Sequence, residues 1–92
     1  MNLQQIAKRI TANVSTKFGV STAGISIDSS FQSIGANSID IVEIILDMEQ
    51  EFHINVPDNK LVRMKSVGSL AKFIDASLNN KIKSKYSKKI IN

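Results

Sequence analysis

Residues 31–52, FQSIGANSIDIVEIILDMEQEF, decide the fold and hold the most distinctive chemistry of this 92-residue chain. Asn37 is a favourable N-cap residue, and Asp40, three residues later, can answer it at the positive end of a helix dipole. Gly35 can stop a short turn just before this cap. The stretch therefore predicts an ordered turn that ends at Gly35 and a helix that runs from Ser38 to about Glu51.

This predicted helix has more apolar residues than one buried stripe can hold. It also carries acids and no base, so some of its apolar side chains must lie on the surface among carboxylates. Exposed apolar groups surrounded by charge are typical of a docking surface. The alternative is a central helix that its neighbours cover on several sides. The apolar residues concerned are Ile39, Ile41, Val42, Ile44, Ile45, Leu46 and Met48.

The chain before this stretch predicts one helix and a long ordered connection. Asn2 and Gln5 have capping-box spacing, and Gly19 is well placed to end the helix. Between them, apolar residues recur at steps of three and four, which indicates an amphipathic helix: Leu3, Ile6, Ala7, Ile10, Val14 and Phe18. The connection 19–36 is long for a compact domain, but its large apolar residues are spaced to enter the core: Ile25, Ile27, Phe31 and Ile34. We expect a loop pinned to the helices, with a helical turn near residues 30–34. The alternative is a flexible linker.

The chain after residue 52 predicts a connector and two more helices. Phe52, Ile54 and Val56 alternate with polar residues; a single strand would lack partners, so we expect an extended connector with these three side chains inward. Pro57-Asp58 begins a short helix that includes Leu61, Val62 and Met64. Ser66 caps a last helix that stops at Asn79-Asn80, with Phe73 beside a buried face formed by Val67, Leu70, Ala71, Ile74 and Leu78. The prediction is an all-α, four-helix bundle with a long first loop and a short third helix.

Charge divides the chain into an acidic middle and a basic end. The net charge is +4, but residues 1–80 hold all eight acids against seven bases, and residues 81–92 add five lysines and no acid. We therefore separate a helical bundle, residues 1–80, from a basic C-terminal tail, residues 81–92. Ile82, Tyr86 and Ile90 recur in the tail at four-residue spacing, which suits a basic amphipathic helix for a membrane surface or an acidic partner. The alternative is a frayed, solvated extension.

The composition excludes several kinds of site. The chain has no Cys, so it has neither a disulfide framework nor a cysteine nucleophile, and any thiol chemistry needs a cofactor. A single His without neighbouring ligands gives no support to a metal site. No apolar run approaches the roughly 20 residues of a membrane span, and the first residues do not resemble a signal peptide. We expect a soluble, cytoplasmic monomer.

Ser38 stands at the exposed junction of the predicted turn and helix. A serine nucleophile needs a base and an orienting group, but the only His is at position 53, which is roughly 20 Å further along a helix. The position does suit the attachment of a group, because a phosphodiester on this serine would meet free N–H groups at the helix start. The alternative is that Ser38 only helps to cap the helix.

Residues 31–43, FQSIGANSIDIVE, resemble the phosphopantetheine attachment motif of acyl carrier proteins, which reads roughly F-x-x-[LI]-G-x-D-S-[LI]-[DS]-x-V-E. Residues 49–58, EQEFHINVPD, are similar to the end of that family's second helix and its connector. Residues 66–70, SVGSL, are similar to the start of its last helix. The resemblance covers residues 1 to 78 in order and spacing, and leaves the tail outside.

The resemblance implies a carrier that is not itself an enzyme. It implies that Ser38 carries 4′-phosphopantetheine, added from coenzyme A by a separate phosphopantetheinyl transferase, and that the thiol of this arm holds acyl groups of fatty acid, polyketide or related biosynthesis as thioesters. It also implies that the acidic second helix docks on basic patches of acyl-transferring and acyl-modifying enzymes, through Ile39, Asp40, Glu43, Leu46, Asp47 and Glu51. An interior able to shelter an acyl chain would be lined by Ile45, Ile54, Leu61 and Ile74.

The sequence departs from the family pattern in two respects. Asn37 stands where the family usually has Asp, which preserves the helix cap but removes one negative charge near the modifying enzyme. Lys60, Arg63 and Lys65 add bases around the third predicted helix, and the tail is basic, whereas such carriers are usually acidic. The first departure concerns the efficiency of modification and which transferase performs it. The second points to a specialised carrier or to a different interface at the third helix.

Two other functions are compatible with parts of the sequence. One is a helical adaptor that binds a partner through the acidic second helix while Ser38 is unmodified. The other is a small binder of nucleic acid or of a membrane surface, whose salt-dependent binding would vanish when residues 81–92 are removed. The acidic middle of the chain would repel phosphates, so we expect no nucleic-acid partner.

Overall fold

Four α-helices, joined by a long first loop, make up the computed structural model of the protein. The structure describes the backbone of residues 1–91 and the side chains of residues 1–80. Within that backbone there is no strand, only an isolated bridge between Ser30 and Ser66, so the all-α prediction is confirmed. The helices are α1 (Leu3–Phe18), α2 (Ser38–Phe52), α3 (Asp58–Leu61) and α4 (Val67–Ile91), and the first loop contains 3-10 turns at Thr22–Gly24 and Gln32–Ile34.

Both ends of α1 form as the sequence predicts. The backbone N–H of Gln5 donates to Oδ1 of Asn2 at 2.8 Å, and the backbone N–H of Asn2 donates to Oε1 of Gln5 at 2.9 Å. Gly19 ends the helix in the left-handed region at φ 66°, where a residue without Cβ has no steric penalty. The sequence alone therefore locates this helix correctly.

The core is formed where α1, α2 and α4 meet, and it includes two residues of the first loop, Ala36 and the fully buried Phe31. The apolar stripe of α1 and the predicted buried face of α4 both enter it, although Leu78 and Phe73 are only half-buried. The remaining fully or almost fully buried large side chains are Ile6, Ile10, Val14, Ile44, Ile45, Met48, Val67, Leu70 and Ile74.

The long loop is ordered because its backbone is hydrogen-bonded to the start of α4. The N–H of Phe31 donates to the carbonyl of Lys65 at 2.9 Å, and the N–H of Gly68 donates to the carbonyl of Ile27 at 2.8 Å. Ile25 and Ile34 are half-buried as expected. Ile27, however, is 39% exposed, so the prediction that it enters the core is wrong: the loop crosses over the surface of α4 there, and its backbone makes the contact.

Gly68 is the residue over which the loop crosses. A Cβ at this position would lie 2.8 Å from the carbonyl oxygen of Ile27, closer than real Cβ atoms approach another heavy atom. The same carbonyl accepts the hydrogen bond from the N–H of Gly68. The glycine therefore permits the close approach that ties the first loop to α4.

We predict that Gly68→Ala lowers the free energy of unfolding by about 1–3 kcal/mol, because loop and helix must separate. This loss outweighs the roughly 1 kcal/mol by which Ala favours a helix over Gly. Thermal unfolding measures it. Gly24→Ala is the matched control, since an added Cβ there has no neighbour within 4 Å. An unchanged melting temperature for Gly68→Ala would contradict the close approach.

The connector after α2 differs from the sequence prediction in detail. Phe52 and Val56 are buried and Ile54 is half-buried, as predicted. The short helix α3 ends at Leu61, however, so Val62 and Met64 lie beyond it. Val62 is 69% exposed, whereas Met64 is buried. Leu61, the apolar residue of this four-residue helix, is therefore half-buried, and Val62 lies on the surface.

The last helix is longer than the sequence suggests. It was expected to stop at Asn79-Asn80, but α4 extends to Ile91. The expected N-terminal cap is present, because the N–H of Ser69 donates to Oγ of Ser66 at 3.1 Å. Neither Gly nor Pro follows Asn80, so no residue after it breaks the helix. The interpretations of the side chains of the tail, residues 81–92, lie outside the described residues.

Candidate functional site

Ser38 is the first residue of α2 and follows a turn that fixes its position. The turn ends at Gly35, which has φ 107°, and the N–H of Ala36 then donates to the carbonyl of Phe31 at 3.0 Å. Because Phe31 is fully buried, this contact links the start of α2 to the core. Ser38 itself is exposed.

The cap of α2 is made without the hydroxyl of Ser38. The N–H of Asp40 donates to Oδ1 of Asn37 at 2.8 Å, and the N–H of Asn37 donates to Oδ2 of Asp40 at 3.0 Å. Asn37 is therefore the N-cap, as predicted, and Asn replaces Asp without loss of the capping box. The Ser38 hydroxyl makes no hydrogen bond to residues 1–80, so it is available for chemistry.

Two surface depressions meet at Ser38. One is mainly apolar, has a volume of about 330 Å³, and is lined by Ser38, Ile41, Val42, Ile45, Leu61, Val62, Met64 and Lys65. The other is more polar, has a volume of about 340 Å³, and is lined by Ser30, Gln32, Ala36, Asn37, Ser38, Ile41 and Lys65. A group attached to Ser38 would therefore have an apolar surface on one side and polar side chains on the other.

The predicted acyl-lining residues divide into two pairs. Ile45 and Leu61 line the apolar depression beside Ser38, whereas Ile54 and Ile74 do not. Ile74 is fully buried in the core. Val42 also lines this depression and is absent from the predicted set, although its position four residues after Ser38 places both on one helix face.

The surroundings of Ser38 do not form a hydrolytic or metal site. His53 follows the last residue of α2 and caps its C-terminal end, roughly 20 Å along the axis from Ser38 by the rise of an α-helix. Nowhere in the described part of the chain do three His, Cys, Asp or Glu side chains cluster to hold a metal ion. Within that same part, no helix is both long enough and apolar enough to cross a membrane.

Helix α2 exposes apolar side chains along one face, as the sequence predicts. Ile39 is 69% exposed, Leu46 52% and Val42 39%. Steps of three and four residues place them side by side on the helix surface. Val42 and Val62 line the same depression, so the exposed face continues onto the segment after α3. We call Ile39, Val42, Leu46 and Val62 the apolar face.

The acids of α2 that the family resemblance assigns to docking already make contacts within the protein. Two of them contact Lys17 of α1, whose Nζ lies 3.1 Å from Asp47 and 3.7 Å from Glu43. Glu51 forms a two-pronged pair with Arg9, at 3.1 and 3.2 Å. Asp40 is engaged in the capping box. The acidic surface of α2 is therefore partly neutralised by α1.

These contacts shift the pKa values of the groups involved. Desolvation raises the pKa of Asp47, but hydrogen bonds from Asn13 and Lys17 outweigh it, so the pKa lies below its ordinary value. The hydrogen bond to Asp47 raises the pKa of Lys17, and the one to Glu51 raises the pKa of Arg9. All three groups are thus charged in the folded protein at neutral pH.

Unlike Arg9 and Lys17 of α1, the bases around α3 form no ion pair with the acids of α2 within residues 1–80. The Nζ of Lys60 lies 5.7 Å from the centre of the Phe73 ring, a cation–π distance. Arg63 and Lys65 are exposed, and in residues 1–80 neither forms an ion pair. Of these three bases, only Lys65 lines the depressions that meet at Ser38.

Comparisons with known proteins identify a matching family model and similar sequences. Residues 8–74 match the family model described as "Phosphopantetheine attachment site". The chain is 32% identical over 79 residues to the acyl carrier protein of Azobacteroides pseudotrichonymphae, covering 84% of this chain and 93% of the relative. It is 34% identical over 77 residues to that of Prochlorococcus marinus, covering 83% and 96%.

The fold has close counterparts among solved structures. The crystal structure of an acyl carrier protein from Thermotoga maritima superimposes with a TM-score of 0.76 at 20% identity, covering 87% of this chain and 94% of the other. At that identity the likeness is evidence for a shared fold. Membership of a family is shown instead by the sequence relatives and by the family model.

Proposed function

Since the chain belongs to the acyl carrier protein family, whose members carry phosphopantetheine, we propose that Ser38 is the residue to which the group is attached. Members of this family are carriers and not enzymes, so the activity is to hold an acyl group and present it to partner enzymes. When bound, the group supplies a terminal thiol, which forms thioesters with acyl groups and which this chain lacks.

The geometry of Ser38 supports the attachment. Its hydroxyl is exposed, is not used to cap α2 and makes no hydrogen bond within residues 1–80. A phosphodiester on it lies at the positive end of the α2 dipole, which favours negative charge. The capping box of Asn37 and Asp40 holds this helix end in place. The single observation that carries the proposal is this free hydroxyl at the start of α2, within the residues that match the family model.

We propose that partner enzymes dock on α2 through the apolar face and the neighbouring acids. Ile39 and Leu46 are apolar anchors, because more than half of each is exposed. Glu43 and Asp47 can still meet basic groups of a partner, because 55% and 40% of their side chains are exposed beside Lys17. Asp40 and Glu51 flank them along the same helix. Weak, exchangeable contacts of this kind suit a carrier that visits several enzymes.

The biological setting is proposed from the same premises. The first partner is a phosphopantetheinyl transferase, which uses coenzyme A as the donor. Later partners are acyl-transferring and acyl-modifying enzymes of fatty acid, polyketide or related biosynthesis. We place the protein in the cytoplasm as a monomer, and its phosphopantetheine is added there.

Intact mass spectrometry tests the attachment. The full chain is incubated with coenzyme A and a broad-specificity phosphopantetheinyl transferase, and the expected result is a gain of one phosphopantetheine group. Ser30, Ser33 and Ser38 share one tryptic peptide, because no Lys or Arg stands between Lys17 and Lys60. Its fragment-ion spectra should place the group on Ser38 and not on Ser30 or Ser33, and the peptide with Ser66 should be unmodified. A folded protein that gains no mass would favour the unmodified adaptor. A gain on another serine would overturn the site assignment.

We predict that Glu43→Lys combined with Asp47→Lys reduces the transferase's kcat/KM about tenfold at low salt. Reversal replaces attraction by repulsion at a basic partner surface, and rim charges act mainly on association. The difference should shrink as ionic strength rises, because salt screens exposed charges. Steady-state kinetics at two salt concentrations measures it, with circular dichroism to check the fold.

Two controls separate docking from charge alone. Asp28→Lys combined with Asp75→Lys makes the same change of net charge away from α2 and should leave kcat/KM within about twofold. Lys17→Gln frees both carboxylates from their pairing and should leave kcat/KM equal or higher. An equal loss in the Asp28/Asp75 variant would show that docking does not involve the acids of α2.

A further inference from the structure

Lys65 stands out among the bases of residues 1–80 because it lines both depressions at Ser38 and forms no ion pair within those residues. We propose that the ammonium group of Lys65 binds the phosphodiester of the group attached at Ser38 and directs that group toward the apolar depression. This inference rests on the proposed function, and it concerns a residue that lies outside the attachment motif.

The location of Lys65 follows from the two depressions that meet at Ser38. Only three residues, Ser38, Ile41 and Lys65, line both of them. Ser38 and Ile41 belong to α2, whereas Lys65 comes from the segment between α3 and α4. Lys65 therefore borders the attachment position from the opposite element, at the boundary between the polar and the apolar surface.

The backbone of Lys65 is held in place, although the residue is exposed. The carbonyl of Lys65 accepts a hydrogen bond from the N–H of Phe31 at 2.9 Å, and Phe31 is fully buried. On either side of Lys65, Met64 and Val67 are buried. The Cα of Lys65 is thus fixed relative to the turn that precedes Ser38, so only the side-chain torsions must be ordered when an anion is bound.

The charge around Ser38 also favours this role. Asp40 places a carboxylate at the same end of α2, and a phosphodiester beside it adds a second negative charge. Arg9 of α1 is paired with Glu51, and Lys17 of α1 with Glu43 and Asp47, while Lys60 lies over Phe73. Lys65 is free of ion pairs within residues 1–80. An ammonium at this boundary can donate a charge-assisted hydrogen bond to an oxygen of the phosphodiester monoanion.

Phosphorus-31 NMR of the fully loaded protein tests the contact. Wild type, Lys65→Gln, Lys65→Arg and Arg63→Gln are each loaded with phosphopantetheine, checked by intact mass, and measured at low and high ionic strength. We expect the wild-type resonance to move with salt, as a screened ion pair requires. Lys65→Gln should shift the low-salt resonance and abolish most of the salt dependence, and Lys65→Arg should retain it.

Arg63→Gln is the matched control, because Arg63 is an exposed base of the same segment without an ion pair in residues 1–80. Its resonance should match wild type. A Lys65→Gln spectrum identical to wild type, or an equal change in Arg63→Gln, would overturn the contact. Nuclear Overhauser effects from the methyl groups of the arm to Val62 should be present in wild type and weaker in Lys65→Gln, and their equality would overturn the orienting role. Wild type that gains no mass at all would instead contradict the proposed function.

Discussion

Ser38→Ala is expected to abolish loading by phosphopantetheine while the protein stays folded. The variant lacks the oxygen that forms the phosphodiester, and no other hydroxyl lies at the start of α2. Intact mass after incubation with coenzyme A and the transferase should equal that of the untreated variant, whereas wild type gains one group. Loading should fall below detection and not merely slow down.

The fold should tolerate this change because the hydroxyl has no structural partner. The cap of α2 is formed by Asn37 and Asp40, and Ser38 is exposed. Ala is also the better helix former, by a few tenths of a kcal/mol. The free energy of unfolding should therefore remain within about 0.5 kcal/mol of wild type.

Asn37→Ala provides the contrast to Ser38→Ala. It keeps the hydroxyl but removes the side chain that accepts the N–H of Asp40, so it should still be loaded while the protein loses about 1 kcal/mol of stability, as N-cap removal generally costs. Attachment of the group would then depend on Ser38, and the helix cap on the adjacent Asn37. Retained loading of Ser38→Ala would show that a different residue is modified.

Much of this architecture could be predicted from the sequence because it depends on local signals. The caps at Asn2, Gly19 and Asn37 each act within four residues, and the apolar spacing of α1 and α4 reports which faces are buried. The surplus of apolar residues on α2 likewise predicted an exposed apolar face. Family resemblance then singled out Ser38 from among the serines that precede helices.

What the sequence did not reveal depends on contacts between distant segments. The pairing of Glu51 with Arg9 joins residues 42 positions apart, and no pattern within α2 indicates it. The same holds for Lys65, whose place beside Ser38 is fixed by a hydrogen bond to the loop. Ile27 was misplaced for a related reason, because its spacing suits burial but the loop crosses α4 through its backbone.

The second large effect is expected from Phe31→Ala. Phe31 is the one residue of the first loop that is fully buried. Replacing a buried Phe by Ala costs about 3–5 kcal/mol of stability, through lost burial and the cavity left behind. Small domains have a total stability of about 5–15 kcal/mol. The variant should therefore be partly or wholly unfolded at about 37 °C. Chemical denaturation followed by circular dichroism measures this loss of stability.

Phe31→Leu keeps the experiment interpretable if the alanine variant does not fold. It retains most of the apolar volume and should cost about 1–2 kcal/mol. Ile27→Ala is the control in the same loop, and it should cost about 1 kcal/mol or less because Ile27 is already 39% exposed. A loss for Phe31→Leu no larger than for Ile27→Ala would contradict the anchoring role.

The anchor also connects stability to function. The carbonyl of Phe31 accepts the N–H groups of Ile34 and Ala36, and its own N–H bonds to Lys65. The same buried residue therefore positions the turn before Ser38 and the lysine on the other side of it. In folded Phe31→Leu, loading by the transferase should slow severalfold relative to Ile27→Ala at matched stability. Equal rates at matched stability would mean that the ring contributes to folding alone.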